Sequence, residues 1–284
     1  MTTPDVRARA IRIGGRTASL LAVVSVLALA MFLWPLFGRA APSASQHSSD
    51  APFIFMVILP VLVLIVLAQL SDGGMDAKAL AMLGVLSAVN AALRPLGAGT
   101  SGIETVFFLL ILAGRVFGPG FGYVLGCTSL FASALLTAGV GPWLPFQMVT
   151  SAWVGMFAGL LPDRIGSTWI RGRREIAMLA AYGVLSALLF GALMNMWFWP
   201  FITGATMGDN AVFAYLPGAD LGENLERFLR FTLITSTLTW DMGRAITNTV
   251  ALIVLGPPVL AVLRRAVRKA RFDPNSVFLP AATP

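Results

Sequence analysis

Long apolar blocks such as Ala18–Leu36 and Phe53–Leu70 constrain this chain more than any other feature, because their hydrophobic residues neither alternate nor keep to one face. A hydrocarbon core of ~30 Å takes ~20 helical residues, and a backbone in lipid must pair every amide within its own helix. That excludes isolated strands and open sheets. Of the 284 residues, 57% are hydrophobic and 12% charged, and the mean hydropathy is +0.81. An ordinary soluble domain carries about twice that charge. The fold class is an all-α integral membrane protein.

The blocks predict eight spans, at roughly 17–37, 53–71, 78–94, 104–117, 121–138, 146–162, 175–199 and 230–262. The fourth is short. The first follows Arg7, Arg9, Arg12 and Arg16 like a signal peptide, but its apolar stretch exceeds an h-region of about 7–15 residues, which favours an anchored helix. Residues 39–52 form a polar linker, and the tail after Arg271 is expected to be disordered.

Basic residues flank the spans instead of forming one patch with interleaved aromatics, so the net charge of +7 does not indicate nucleic acid. Clusters occur in the N-terminal tail, in loop 163–174 (Arg164, Arg171, Arg173, Arg174) and at Arg264, Arg265, Arg268, Lys269 and Arg271. Eight crossings put all three on one side, which the positive-inside rule makes cytoplasmic, with both termini there. The opposite loops, 38–52, 95–103, 139–145 and 200–229, are rich in Gly, Pro and Ser or acidic, as at Asp209, Asp220, Glu223 and Glu226.

Enzymatic signatures are missing: there is no HExxH, GxSxG or Walker motif, and the lone His47 sits in a linker. Gly118-Pro119-Gly120-Phe121-Gly122 lacks the Lys and Ser/Thr of a phosphate cradle and reads as a tight turn. If ATP drives this protein, another subunit must bind it. The single Cys127 lies in an apolar run and reads as a small core residue.

Small residues recur at helix-packing intervals. Ala77, Ala81, Gly84, Ala88 and Ala92 make one stripe along a helix, and Gly122/Gly126, Gly155/Gly159 and Gly183/Ala187/Gly191 repeat the spacing. Close backbone approach replaces the absent hydrophobic drive in lipid. Most such pairs serve internal packing, and one surface-facing stripe suits a partner subunit.

Polar residues inside apolar spans are the sharper signal, because a charge at the bilayer centre costs ~2.5–3.5 kcal/mol on insertion scales. Asp241, Arg244 and Asn248 fall at i, i+3 and i+7 on one helical face beside Trp240. This is either a neutralising pair that fixes packing or the wall of a ligand cavity. Arg94 and Glu104 flank the loop after the third span, Gln147 follows Trp143 by one turn, and Asn195 and Trp199 close the seventh span. An interfacial aromatic belt accounts for the rings but not for the amides beside them. Aromatic faces with a few placed polar groups resemble a site for a small organic ligand.

From Ala79 to Leu263 the chain resembles the substrate-binding (S) components of energy-coupling-factor (ECF) vitamin transporters. The resemblance rests on Ala79–Pro95 (ALAMLGVLSAVNAALRP), Gly118–Gly126 (GPGFGYVLG), Gly139–Gln147 (GVGPWLPFQ) and the closing helix ending Gly256-Pro257-Pro258. It implies a six-helix core over 78–263, preceded by two additional helices in 17–71 and flanked by basic tails 1–16 and 264–284. It implies capture of a vitamin from outside, beneath loops 95–103, 139–145 and 200–229. Arg94, Thr100, Glu104, Trp143, Gln147, Asn195, Trp199, Trp240, Asp241, Arg244 and Asn248 are then the candidate ligand residues. The stripe Ala77, Ala81, Gly84, Ala88 and Ala92 would dock on a coupling transmembrane subunit that joins two ATPases. No cofactor or metal is implied for this subunit itself, and ATP belongs to its partners. Overall similarity is greatest to cobalamin-type members; thiamine precursors, riboflavin or a nucleobase-like compound stay open. The rival classes are a ligand-free assembly subunit and an intramembrane enzyme acting on lipid, for which the expected acid, His or metal clusters are missing.

Overall fold

A computed structural model describes residues 14–37, 61, 77–97, 103–141, 143–206, 213–216 and 218–270. The expected second span, 53–71, lies outside them except for Val61, as do Thr100, the 39–52 linker and the tail after Arg271. The described chain runs through helices α1 (Gly15–Phe37), α2 (Ala77–Leu93), α3 (Val106–Phe117), α4 (Pro119–Leu136), α5 (Leu144–Leu160) and α6 (Arg173–Thr206). Then follow α7 (Leu221–Thr232), a π-helical stretch Leu233–Asp241, α8 (Met242–Val254) and α9 (Gly256–Ala270). Among the described residues, four helices are long and apolar enough to cross a membrane, or five if the bent pair Leu221–Val254 and Gly256–Lys269 is one span. Two shorter apolar helices, α3 and α5, complete the bundle.

Helix α3 explains its own shortness. Its twelve residues (VFFLLILAGRVF) span only about 18 Å at 1.5 Å per residue. Val106 to Gly114 and Phe117 are all buried, so the helix is wrapped by protein and not by lipid. Gly118, at φ 107°, ends α3 and starts α4, with Pro119 in the first turn of α4. The turn is thus Gly118 alone, and residues 119–122 of the expected turn instead form the first turn of α4, where a proline fits because its missing N–H would be unpaired anyway.

Helices α4 and α5 make the closest crossing. A side chain at Gly114, Gly122 or Gly155 would strike backbone, with the Gly155 carbonyl facing both Gly114 and Gly122. Gly126 meets the Ala152 backbone in the same way. Along α6, Gly183 faces Leu252 of α8, Ala187 is fully buried and Gly191 receives the Asp241 carboxylate.

The first helix packs on α6 and α7 and also touches α5. Phe32 meets Phe146 edge-on at 5.1 Å, and the Trp153 indole N–H donates to the Ser25 hydroxyl at 2.9 Å. Among the described residues, that docking leaves the stripe on α2 uncovered. Ala77, Ala81, Gly84, Ala88 and Ala92 are all exposed, whereas Ala79, Leu83, Leu86, Ser87, Asn90 and Ala91 face inward.

Two expectations need correction. The span expected over 230–262 starts earlier, at Leu221, and bends by 64° between Val254 and Gly256. Pro257 and Pro258 cannot donate to a preceding turn but suit a new first turn, so α9 starts afresh there. Loop 200–229 is shorter than expected, because α6 runs on to Thr206 and α7 begins at Leu221. Loop 163–174 holds a two-stranded hairpin, Arg164–Ile165 against Thr168–Trp169, with the Arg164 guanidinium 3.6 Å from the centre of the Trp169 ring.

Ion pairs around the buried Arg115 and Glu175 side chains tie the loop-163 end together. Arg115 of α3 donates to Glu175 (2.9 Å), Asp163 (2.8 Å) and the Leu161 carbonyl (2.9 Å), and Arg264 of α9 donates to Glu175 at 2.7 Å. Glu175 thus holds α9 against the bundle after the bend.

Candidate functional site

The candidate site lies at the other end of α3, where the chain enters it through Glu104. Its frame is the π-helical stretch LITSTLTWD. The Thr235 hydroxyl donates to the Phe231 carbonyl at 2.7 Å, and such back-bonding by Ser and Thr competes with regular helix bonds. The wider π turn brings i and i+5 close together. Ser236 consequently donates to the Asp241 carboxylate at 2.9 Å.

Asp241 and Asn248 are fully buried and Arg244 nearly so. Arg244 donates to the other Asp241 oxygen at 2.8 Å and, through Nε, to Glu104. Its guanidinium sits 4.8 Å from the Phe190 ring and 5.7 Å from the Phe107 ring, within reach of both aromatic faces. Asn248 donates to the backbone carbonyls of Glu104 (2.9 Å) and Arg244 (2.8 Å), while its Oδ1 is buried with no hydrogen-bond partner among the described residues. One face of α8 therefore grips the entry to α3 by both side chain and main chain. Nearby, Arg94 in the turn Arg94–Gly97 donates to the Gln147 side-chain carbonyl at 2.8 Å.

The structure thus joins Glu104, Asp241, Arg244 and Asn248 in one network and pairs Arg94 with Gln147. The other sequence candidates have different surroundings. Trp199 is fully buried among Met196, Tyr215, Phe228 and Phe231, and its indole N–H donates to the Phe213 carbonyl at 2.7 Å. Trp143 and Trp240 are 43% and 46% exposed, and the Trp143 N–H donates to the Gly139 carbonyl at 3.2 Å. Asn195 donates to Thr232 across 3.4 Å, and Thr100 falls outside the described residues.

Sequence reasoning missed several participants. Gly191 was visible only as a packing residue. Ser236 lies five residues from Asp241, a spacing that α-helical periodicity does not bring together. Phe107 and Phe190 come from separate helices and meet edge-on at 4.9 Å. A second polar seam joins α2 to α4, with Ser87 bonded to Thr128 at 2.7 Å and Asn90 donating to Ser129 at 2.9 Å. Among the described residues, no group of three or more His, Cys, Asp or Glu side chains is placed to hold a metal ion.

A polar network inside an apolar helical bundle, an exposed small-residue stripe on another helix and the order of glycine-rich turns together suit a membrane subunit that captures a solute. No curated protein and no solved structure matches the chain. The family model for the ECF transporter substrate-specific component matches residues 78–255, more than half of the sequence and all of the candidate network. The chain belongs to the family of substrate-specific components of ECF transporters.

Proposed function

We propose that this subunit captures a vitamin from outside the cell at the end of the bundle built by Glu104, Asp241, Arg244 and Asn248, with Arg94 and Gln147 beside them. In this reading both termini are cytoplasmic and loops 95–103, 139–145 and 200–229 roof the ligand. Overall resemblance favours cobalamin. The observation that carries the proposal is the burial of Asp241, Arg244 and Asn248 in a bundle meant for lipid, where ionisable groups are costly and serve ligands or partners. A ligand-free assembly subunit is the second reading. It is favoured by the mutual pairing of Asp241, Arg244 and Glu104, which satisfies the charges without a guest.

Mass spectrometry of small molecules released from the detergent-purified protein separates the two. A vitamin is expected in the wild type without added nucleotide, and Asp241→Asn or Trp143→Ala should weaken its binding at least about tenfold, the loss of one charge-assisted contact or one aromatic face. An empty wild-type protein would favour the assembly reading. Full binding by both variants would remove these residues from the site.

Delivery is proposed to need a coupling transmembrane subunit and two ATPases, which alone bind ATP. The stripe on α2 suits that contact because no described residue lies within 4 Å of a β-carbon built at Gly84, so a second helix can approach its backbone. Gly84→Leu should leave the melting of the isolated subunit within about 0.5 kcal/mol of wild type. Co-purification with the coupling subunit should be lost. Retained co-purification would move the docking surface elsewhere.

A further inference from the structure

We infer that the hairpin of loop 163–174, the start of α6 and helix α9 form one surface that binds the headgroups of acidic phospholipids. The inference goes beyond the capture reading and does not depend on it. It starts from the charges at the loop-163 end. Residues 163–175 and 256–270, together with Arg115, hold nine cations and two carboxylates. Both carboxylates are engaged: Arg115 holds Asp163 and Glu175, and Arg264 shares Glu175. Arg164, Arg171, Arg173 and Arg174 are exposed, and so are Arg265, Arg268 and Lys269 on α9. Among the described residues, none of these exposed cations takes part in an ion pair.

Position selects the partner. On α9, Leu260 and Leu263 face the bundle, while Pro258, Val262, Arg265 and Lys269 follow one another along the exposed face. This face comes just after the exposed Val254 and Leu255, passes through Val262 at 65% exposure and turns basic within one helical turn. Apolar atoms against lipid tails, followed at once by cations against phosphates, are what the boundary between hydrocarbon and headgroup requires. The positive-inside rule accounts for the end that carries the cations, but not for their continuing an exposed apolar face. The hairpin repeats the arrangement. Arg164 lies opposite Trp169 across the two strands with its guanidinium 3.6 Å from the ring centre, and that of Arg171 is 5.2 Å away. Indole rings favour headgroup level. A guanidinium over a ring keeps its in-plane N–H groups, which match the paired oxygens of a phosphodiester. Arg173 and Arg174 open α6, where the helix dipole disfavours cations, and a bound anion offsets that cost. The bond from Arg264 to Glu175 holds α9 beside them.

The experiment is native mass spectrometry of the full chain in mild detergent, titrated with phosphatidylglycerol or phosphatidylcholine of matched acyl chains. Phosphatidylglycerol is expected to bind at least about tenfold more tightly, since each basic residue at an anionic surface is worth on the order of fivefold. Two sets of changes, Arg265→Gln/Arg268→Gln/Lys269→Gln and Arg164→Gln/Arg171→Gln, should each reduce that preference at least about fivefold. Arg265→Lys/Arg268→Lys should keep most of it. All of these proteins should melt near wild type, because Arg115, Glu175 and Arg264 are untouched.

Equal binding of the two lipids, or a preference that survives either set of changes to Gln, overturns the inference. So does displacement of phosphatidylglycerol by millimolar inorganic phosphate, which would mark a site for a free anion. If the Gln variants keep the lipid preference but no longer co-purify with the coupling subunit or the ATPases, the face belongs to a protein partner and the inference fails. None of these results bears on cargo capture, which the co-purifying small molecules test separately.

Discussion

Gly155→Ala is expected to destabilise the bundle by about 3 kcal/mol, at the upper end of the cost of overpacking a close-packed interior. The added methyl would meet the carbonyl and α-carbon of Gly122, which are backbone atoms and cannot turn aside as a side chain does. Helix α5 would have to move away from α4, and the Gly155 carbonyl would leave Gly114 and Gly122 together. In lipid, separated helices gain nothing from water release, so the lost dispersion contacts are not offset. The buried thiol of Cys127, the only cysteine in the chain, reports the effect. A thiol-reactive dye should label Gly155→Ala at a temperature well below that for wild type. Gly84→Ala is the control: its methyl meets no described residue within 4 Å, and its melting should stay within about 0.5 kcal/mol of wild type. Equal melting of the two variants would mean that α4 and α5 do not cross as closely as the structure has them.

The contrast between these glycines marks what the sequence can and cannot carry. Spacing alone puts Gly84 and Gly155 in the same class, since each sits in a small-residue row. Which row turns inward depends on the neighbours. On α2, Leu83, Leu86 and Asn90 take the inward face and leave Gly84 outside. The spans were legible because a bilayer imposes length and apolarity on a helix, and α1, α2, α4 and α5 follow the apolar blocks closely, while α6 starts with its block and runs past it. The bend before Gly256 was not, although Pro257 and Pro258 are its local cause. Part of the candidate site was legible for a similar reason: Asp241, Arg244 and Asn248 keep α-helical spacing, so their shared face could be read. Ser236 joins them only because the helix widens to π geometry, a choice that Ser and Thr back-bonds favour without dictating. Trp199 shows the opposite limit. Beside Asn195 it looked like a ligand face, yet its indole N–H goes to Phe213, a contact that depends on where the chain after α6 returns.

The second large effect concerns Gly191 and is best read as a double-mutant cycle. A methyl at this position would fall on both oxygens of the Asp241 carboxylate. The carboxylate would have to leave Arg244 and Ser236, its partners at 2.8 and 2.9 Å. Removing one partner of a buried ion pair typically costs ~3–5 kcal/mol, and Gly191→Ala should approach the lower figure, about 3 kcal/mol. Asp241→Ala should cost a similar amount, because Arg244 then keeps only Glu104. The two changes should not add. With the carboxylate gone, the methyl added at position 191 has room, so Gly191→Ala/Asp241→Ala should be little worse than Asp241→Ala alone, a coupling of about 2 kcal/mol or more. Thermal unfolding of the four proteins, followed by Cys127 labelling, measures it. Additive losses would show that Gly191 is required for something other than admitting the carboxylate, and the seating of Asp241 against α6 would have to be abandoned. A strong coupling would mean that α6 carries a glycine where any side chain would displace the charge, so that the placement of Asp241 is fixed from two helices at once.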